Sequence, residues 1–222
     1  MKKKIKNIYF SIAVDGGSAS GKTTGSKFIA RKFGFKLLSS GKLYRYLALK
    51  ILKNKGKYNI KFINKVSKSI TVKKLNSKNL YNTKVTELSS IIAKKKIIRQ
   101  SLKKFQIQFI KKNKKVICEG RDIATKIHPK ADLKLFFKCS IKEKAKRRLK
   151  EFRKINKKIT LKEVEKALIH RDLLDTTRKI SPLRFVKSAV LVDTTNLSIK
   201  QMEGKLKKIV KKAIQNKYGN LQ

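Results

Sequence analysis

The pattern that most constrains this chain is Gly16-x-x-x-x-Gly21-Lys22-Thr23, set directly behind the apolar run of residues 8–14. Beyond it Phe28, Ile29 and Phe33 recur at helical spacing, and Gly34 supplies a stop. Strand, glycine loop and helix in that order form the context a P-loop requires. Glycines and small residues let successive backbone N–H groups converge on phosphate oxygens, and the following helix start adds unpaired donors and a positive dipole end. Gly16, Gly17, Ser18, Ala19, Ser20, Gly21, Lys22, Thr23 and Thr24 are therefore the candidate cradle for a nucleoside triphosphate such as ATP. Lys22 is suited to bridge the β- and γ-phosphates, and the Thr23 hydroxyl to ligate Mg2+. What accepts a phosphoryl group is left open by this motif.

Further strands are predicted over 35–38, 115–118, 133–137 and 189–192, and helices from Gly41, across 85–111, over 141–154 and 160–178, and after Ser198. Strands alternating with helices predict an α/β fold with a parallel sheet flanked by helices. Residues 54–84 have weaker periodicity, with a strand-like piece over 69–72 and a turn-prone Asn76-Ser77-Lys78-Asn79; they read as a small insert in a single domain spanning 1–222.

The net charge of +48 invites a nucleic-acid partner. Ten of the 61 basic residues are Arg, however, and the lysines are spread along the whole chain, which favours a solvated surface over a polynucleotide footprint. No specific nucleic acid is expected as a partner, and no membrane, since no apolar stretch approaches 18 residues. Lys2 to Lys6 with the following apolar run resembles the start of a secretory signal, but Asp15 and the glycine loop cut it short, so it reads as a first strand. Cys118 and Cys139 fit no zinc or disulfide framework and suit buried thiols in a reducing cytoplasm. His128 and His170 lack metal-like spacing.

In so lysine-rich a chain each arginine is a marked choice, because a planar fork binds phosphate, carboxylate or a base edge in a way an ammonium does not. Arg45 follows Ser40-Gly41, Arg121 lies in Gly120-Arg121-Asp122 behind an apolar strand, and Arg171-Asp172-x-x-Asp175-x-x-Arg178 puts 171, 175 and 178 on one helical face. That last pattern also fits a surface salt-bridge ladder. A strand's carboxyl end lines the ligand crevice in such folds, which favours a working role for Gly-Arg-Asp.

Residues 12–24, 37–45, 119–122, 171–178 and 191–195 together resemble the bacterial cytidylate kinases, in that family's order and over nearly the whole chain. The resemblance implies a P-loop nucleoside monophosphate kinase fold: a five-stranded parallel sheet, a monophosphate-binding insert at about 55–84 and a lid at about 143–158. It implies transfer from ATP to CMP or dCMP by a cytoplasmic monomer. It gives the cytosine to Ser40, Arg99, Asp122 and Arg178, the acceptor phosphate to Arg45 and Arg121, and the sugar to Ser90, Arg171 and Asp175. Lys22, Arg121, Arg147 and Arg148 would be the catalytic cations, the last two from the lid. The chain departs from the family at Ser39, usually Asp, at Gly17, commonly Pro, and at Lys144, which stands for the first lid arginine; the insert around 70–84 is shortened. A kinase of UMP, AMP or another small substrate is the nearest alternative, and a basic RNA-binding protein a more distant one, lacking an aromatic-interleaved basic patch.

Overall fold

The computed structural model describes residues 8–153 and 159–219. In chain order its elements are β1 (Phe10–Gly16), α1 (Lys22–Phe33), β2 (Lys36–Ser39), α2 (Ser40–Lys53), α3 (Ile60–Lys68), α4 (Thr83–Ile92), α5 (Lys96–Lys112), β3 (Lys115–Gly120), β4 (Leu133–Lys138), α6 (Ile141–Phe152), α7 (Leu161–Thr177), β5 (Val190–Asp193) and α8 (Ile199–Tyr218). Two compact units result: Met1–Leu37 with Lys114–Gln222, and Leu38–Asn113.

The strands form one five-stranded sheet in the order β2-β3-β1-β4-β5. β1 lies at its centre, parallel to β3 from Phe10↔Lys115 to Asp15↔Gly120 and parallel to β4 from Ile12↔Leu133 to Gly16↔Phe137. Parallel strands need long crossovers, and covering both faces with helices explains why β1 is buried at nearly every position rather than at alternate ones. Phe10, Ile12, Val14, Ile117, Leu135, Phe137 and Val192 make the core of the first unit with Ile29 of α1 and Met202, Leu206, Val210 and Ile214 of α8. The last four recur every fourth residue, so they form one stripe on α8. Ser198 and Gln201 close a capping box at the start of that helix.

In the second unit α2 buries Leu43, Leu47 and Ile51. The strand expected over 69–72 is not formed. Instead the Asn59 side chain caps α3 by accepting from Phe62 N at 2.9 Å, and Ile63 and Val66 form its buried face. The helix expected across 85–111 is two helices: α4 and α5 are separated at residues 93–95, where Arg99 Nη1 donates to the Ala93 carbonyl at 3.0 Å. In the first unit, β3 runs into a single π-helical turn, Ile123–Ile127, that the sequence did not signal. Part of the lid expected at 143–158 lies in α6, and its residues 154–158 are outside the described residues.

Candidate active site

The loop after β1 is held in shape by its own contacts and by its neighbours in the first unit. Gly16 is required: a Cβ there would lie 2.5 Å from the Phe137 carbonyl oxygen, and its φ is 153°. Ala19 and Gly21, at φ 53° and 84°, turn the chain into α1. Ser20 Oγ and Lys22 Nζ each donate to the Gly17 carbonyl at 3.0 Å, which folds the lysine back over the loop. Thr194, 1% exposed, donates its hydroxyl to the Ser20 carbonyl at 3.0 Å and accepts from Arg147 Nη1 at 3.0 Å. Burial, and then the nearby Arg121 guanidinium, push the Lys22 ammonium down to about 7.

Arg121 is the hub of this end of the sheet. Its Nε donates to Asp175 Oδ2 at 2.7 Å and its Nη2 to the Ser18 hydroxyl at 3.0 Å. Asp175 also accepts from Arg178 Nη1 at 3.4 Å, and the Arg121 and Arg178 guanidiniums hold its carboxyl below the usual range despite its burial. Arg171, Asp175 and Arg178 were expected on one helix face, but α7 ends at Thr177. Arg178 is in extended backbone beyond it, with Nε donating to the Ser181 carbonyl. Arg147 is bound by Glu143 Oε1 at 2.8 Å and the Thr194 carbonyl at 2.6 Å, and Arg148 by Glu151 at 2.9 Å.

Two buried acids stand behind these groups. Asp15, 1% exposed, accepts from the Ile123 and Ala124 amides at 2.9 and 2.8 Å, so it fixes the turn that carries Arg121 and Asp122. Burial raises its carboxyl to about 6. Glu119, 2% exposed, accepts from the Thr23 hydroxyl at 3.1 Å through Oε1, while its Oε2 is buried with no hydrogen-bond partner among the described residues. Asp122 is itself buried, at 3% exposed.

The second unit carries the remaining candidates. Arg45 Nη1 donates to the Leu80 carbonyl at 3.0 Å and to Thr86 Oγ1 at 2.8 Å, with its guanidinium 5.1 Å from the Tyr81 ring centroid. Ser90 donates to the Thr86 carbonyl at 3.2 Å, which puts it on the same turn of α4 as that arginine contact. Arg99 is 7% exposed and lies over the Tyr44 ring at 5.5 Å, and Ser40, buried, opens α2.

The family model for cytidylate kinase matches residues 12–212. The chain belongs to the cytidylate kinase family. A cytidylate kinase from Fusobacterium nucleatum is 37% identical over 212 residues, covering 90% of this chain and 97% of the relative. Two solved structures share the fold: a gluconokinase from Sinorhizobium meliloti and a shikimate kinase from Acinetobacter baumannii. They are 12% and 14% identical, cover 98% of this chain and 100% and 99% of their own, and superpose at TM-scores of 0.52 and 0.51. Within this member of the cytidylate kinase family, reasoning from sequence missed Asp15, Glu119, Asp172 and Thr194 as structural parts of the site. A signal existed for the acids. The chain has only 13 Asp and Glu, and two of them end the central strands beside the phosphate loop and the Gly-Arg-Asp turn.

Proposed function

We propose that the chain is a cytidylate kinase working through the residues just described. It transfers the γ-phosphoryl group of ATP to CMP or dCMP, giving ADP and CDP or dCDP. The observation that carries the assignment of residues is Arg121, whose one guanidinium touches both Ser18 of the phosphate loop and Asp175 of the Arg-Asp motif. A cation shared by the donor loop and an acceptor motif supports direct transfer from one bound nucleotide to another.

Loop amides and Lys22 hold the ATP phosphates, and an oxygen of the CMP phosphate attacks the γ-phosphorus in line as ADP leaves. That oxygen is already anionic, so the chain needs no general base; it supplies positioning and cations. In this proposal Arg45 and Arg121 hold the acceptor phosphate, and Arg171, Asp175 and Ser90 the sugar. Ser40, Arg99, Asp122 and Arg178 read the cytosine, while Arg147 and Arg148 steady the transferring group.

The Thr23 hydroxyl beside the Glu119 carboxylate, whose second oxygen is buried without a partner among the described residues, fits a hard cation with oxygen ligands. Mg2+ bound there with ATP would neutralise charge on the β- and γ-phosphates. No group of three or more His, Cys, Asp or Glu able to hold a metal occurs among the described residues, so such an ion would lean on the nucleotide's own oxygens. Free, buried Cys118 and Cys139 support a reducing compartment, and we assign the protein to the cytoplasm as a monomer. A coupled ADP-release assay over CMP, dCMP, UMP and AMP tests the reading. Turnover with the two cytidine nucleotides at least tenfold above the others is expected, and equal or greater turnover with UMP or AMP would overturn it.

A further inference from the structure

Two side chains from separate helices, Lys144 and Asp172, meet at the phosphate loop beside Gly17, and neither has a place in the mechanism above. The Asp172 carboxylate, on α7, accepts from the Ser18 amide through Oδ1 at 2.9 Å and from Lys144 Nζ through Oδ2 at 2.8 Å. Lys144, on α6, is 12% exposed in its side chain and Asp172 21%, so the pair is largely withdrawn from water. Gly17 makes this possible. A Cβ there would lie 2.9 Å from Asp172 Oδ2 and 3.0 Å from Lys144 Nζ, closer than either atom tolerates. The missing side chain of the loop is thus filled by an ion pair delivered from two helices.

We propose that Asp172 is a positioning residue that docks Lys144 on the phosphate loop, in the space left by Gly17, so that Lys144 meets the terminal phosphates of ATP as a ready-placed cation. A flexible lysine in water would lose side-chain entropy on reaching the nucleotide. Here that ordering is done beforehand: the carboxylate is itself held by the Ser18 N–H and fixes the ammonium within reach of the loop. Preplaced charge of this kind acts on the charge that develops during transfer, so it raises kcat more than it tightens binding. The two helices that supply the pair also pack on each other through Ala145, Val164 and Leu168, which gives the pair a stiff support.

The inference rests on the assignment of the loop as the ATP site, and a double-mutant cycle tests it. Lys144→Met, Asp172→Asn and the combined variant are compared with the parent for kcat, for KM of ATP and of CMP, and for melting temperature. Asp172→Asn keeps an oxygen for the Ser18 amide and removes only the ion pair. Each single change is expected to lower kcat by about tenfold or more, with KM for CMP within about twofold, and the combined variant to be no worse than the poorer single one. Losses that multiply in the combined variant, or that appear in KM for CMP instead of kcat, overturn the proposal. If the parent does not phosphorylate CMP, the acceptor assignment fails separately, and the same cycle is read on ATP hydrolysis by the loop.

Discussion

Replacing Asp15 by Asn isolates what a buried carboxylate does for this fold. In the parent the group is 1% exposed and accepts two amide hydrogen bonds, yet burial still raises it from 3.8 to about 6. Between those two values the folded chain holds a proton that the unfolded chain has released. Stability therefore falls as pH rises through this window, and the full cost is present above about pH 6. A shift of roughly two units is worth about 3 kcal/mol, of which about 2 kcal/mol falls between pH 4.5 and 7.5. Asn does not titrate. It keeps one acceptor for these amides and turns an NH2 toward the other, a loss of about 1–3 kcal/mol. The gap in stability between parent and Asp15→Asn should thus be widest at pH 4.5 and shrink by about 2 kcal/mol at pH 7.5. Urea unfolding of both proteins across that range measures it, since other titrating groups cancel in the difference. Parallel stability curves would refute the reasoning. Because Ile123 and Ala124 directly follow Arg121 and Asp122, the variant should also raise KM for CMP more than KM for ATP.

Lys22 sits near 7 in the free protein, and bound phosphates will raise it, so ATP binding at pH 8 should take up close to one proton, seen by calorimetry in buffers of different ionisation enthalpy. Lys22→Ala should abolish that uptake and lower kcat by about a hundredfold or more. Cytosine offers an amino donor where uracil offers a carbonyl, so Asp122→Asn should reduce CMP turnover and narrow the CMP/UMP ratio of kcat/KM by at least about tenfold; an unchanged ratio removes the base-reading role. Thr194→Val keeps the shape and deletes the hydroxyl that joins Arg147 to the Ser20 carbonyl, and it should cost about 1–3 kcal/mol in urea unfolding while raising KM for ATP.

The sheet and most of its helices were legible because near-continuous burial writes apolar runs into β1 and β3, and because Gly34 and Ser198 mark helix ends. Residues 54–84 were not. α3 spans only nine residues, and its face of Ile63 and Val66 is too short to stand out from scattered apolar positions. The break at 93–95 was hidden because apolar residues on both sides keep a helical spacing while an arginine side chain occupies the Ala93 carbonyl. The loop and the Gly-Arg-Asp turn were legible as motifs, but the connections behind them were not. Asp15 and Ile123 are 108 residues apart, and Ser18 and Asp172 are 154 apart. Spacing along a chain carries no record of such partners. Gly17 and Lys144 stood out singly as departures from the family, and only their geometry shows that they depart around the same carboxylate.

The strand order has a consequence for how the chain is made. β1 leaves the ribosome first among the strands, but its two neighbours in the sheet are β3, beginning at Lys115, and β4, beginning at Leu133. Its row of apolar side chains and open backbone groups waits for about a hundred residues of further synthesis before it can be covered. During that delay, some seconds at elongation rates of about 5–20 residues per second, it is an adhesive edge exposed to other nascent chains. The Leu38–Asn113 unit is contiguous in sequence and emerges complete in the meantime, so it can fold ahead of the sheet into which the first strand is finally threaded.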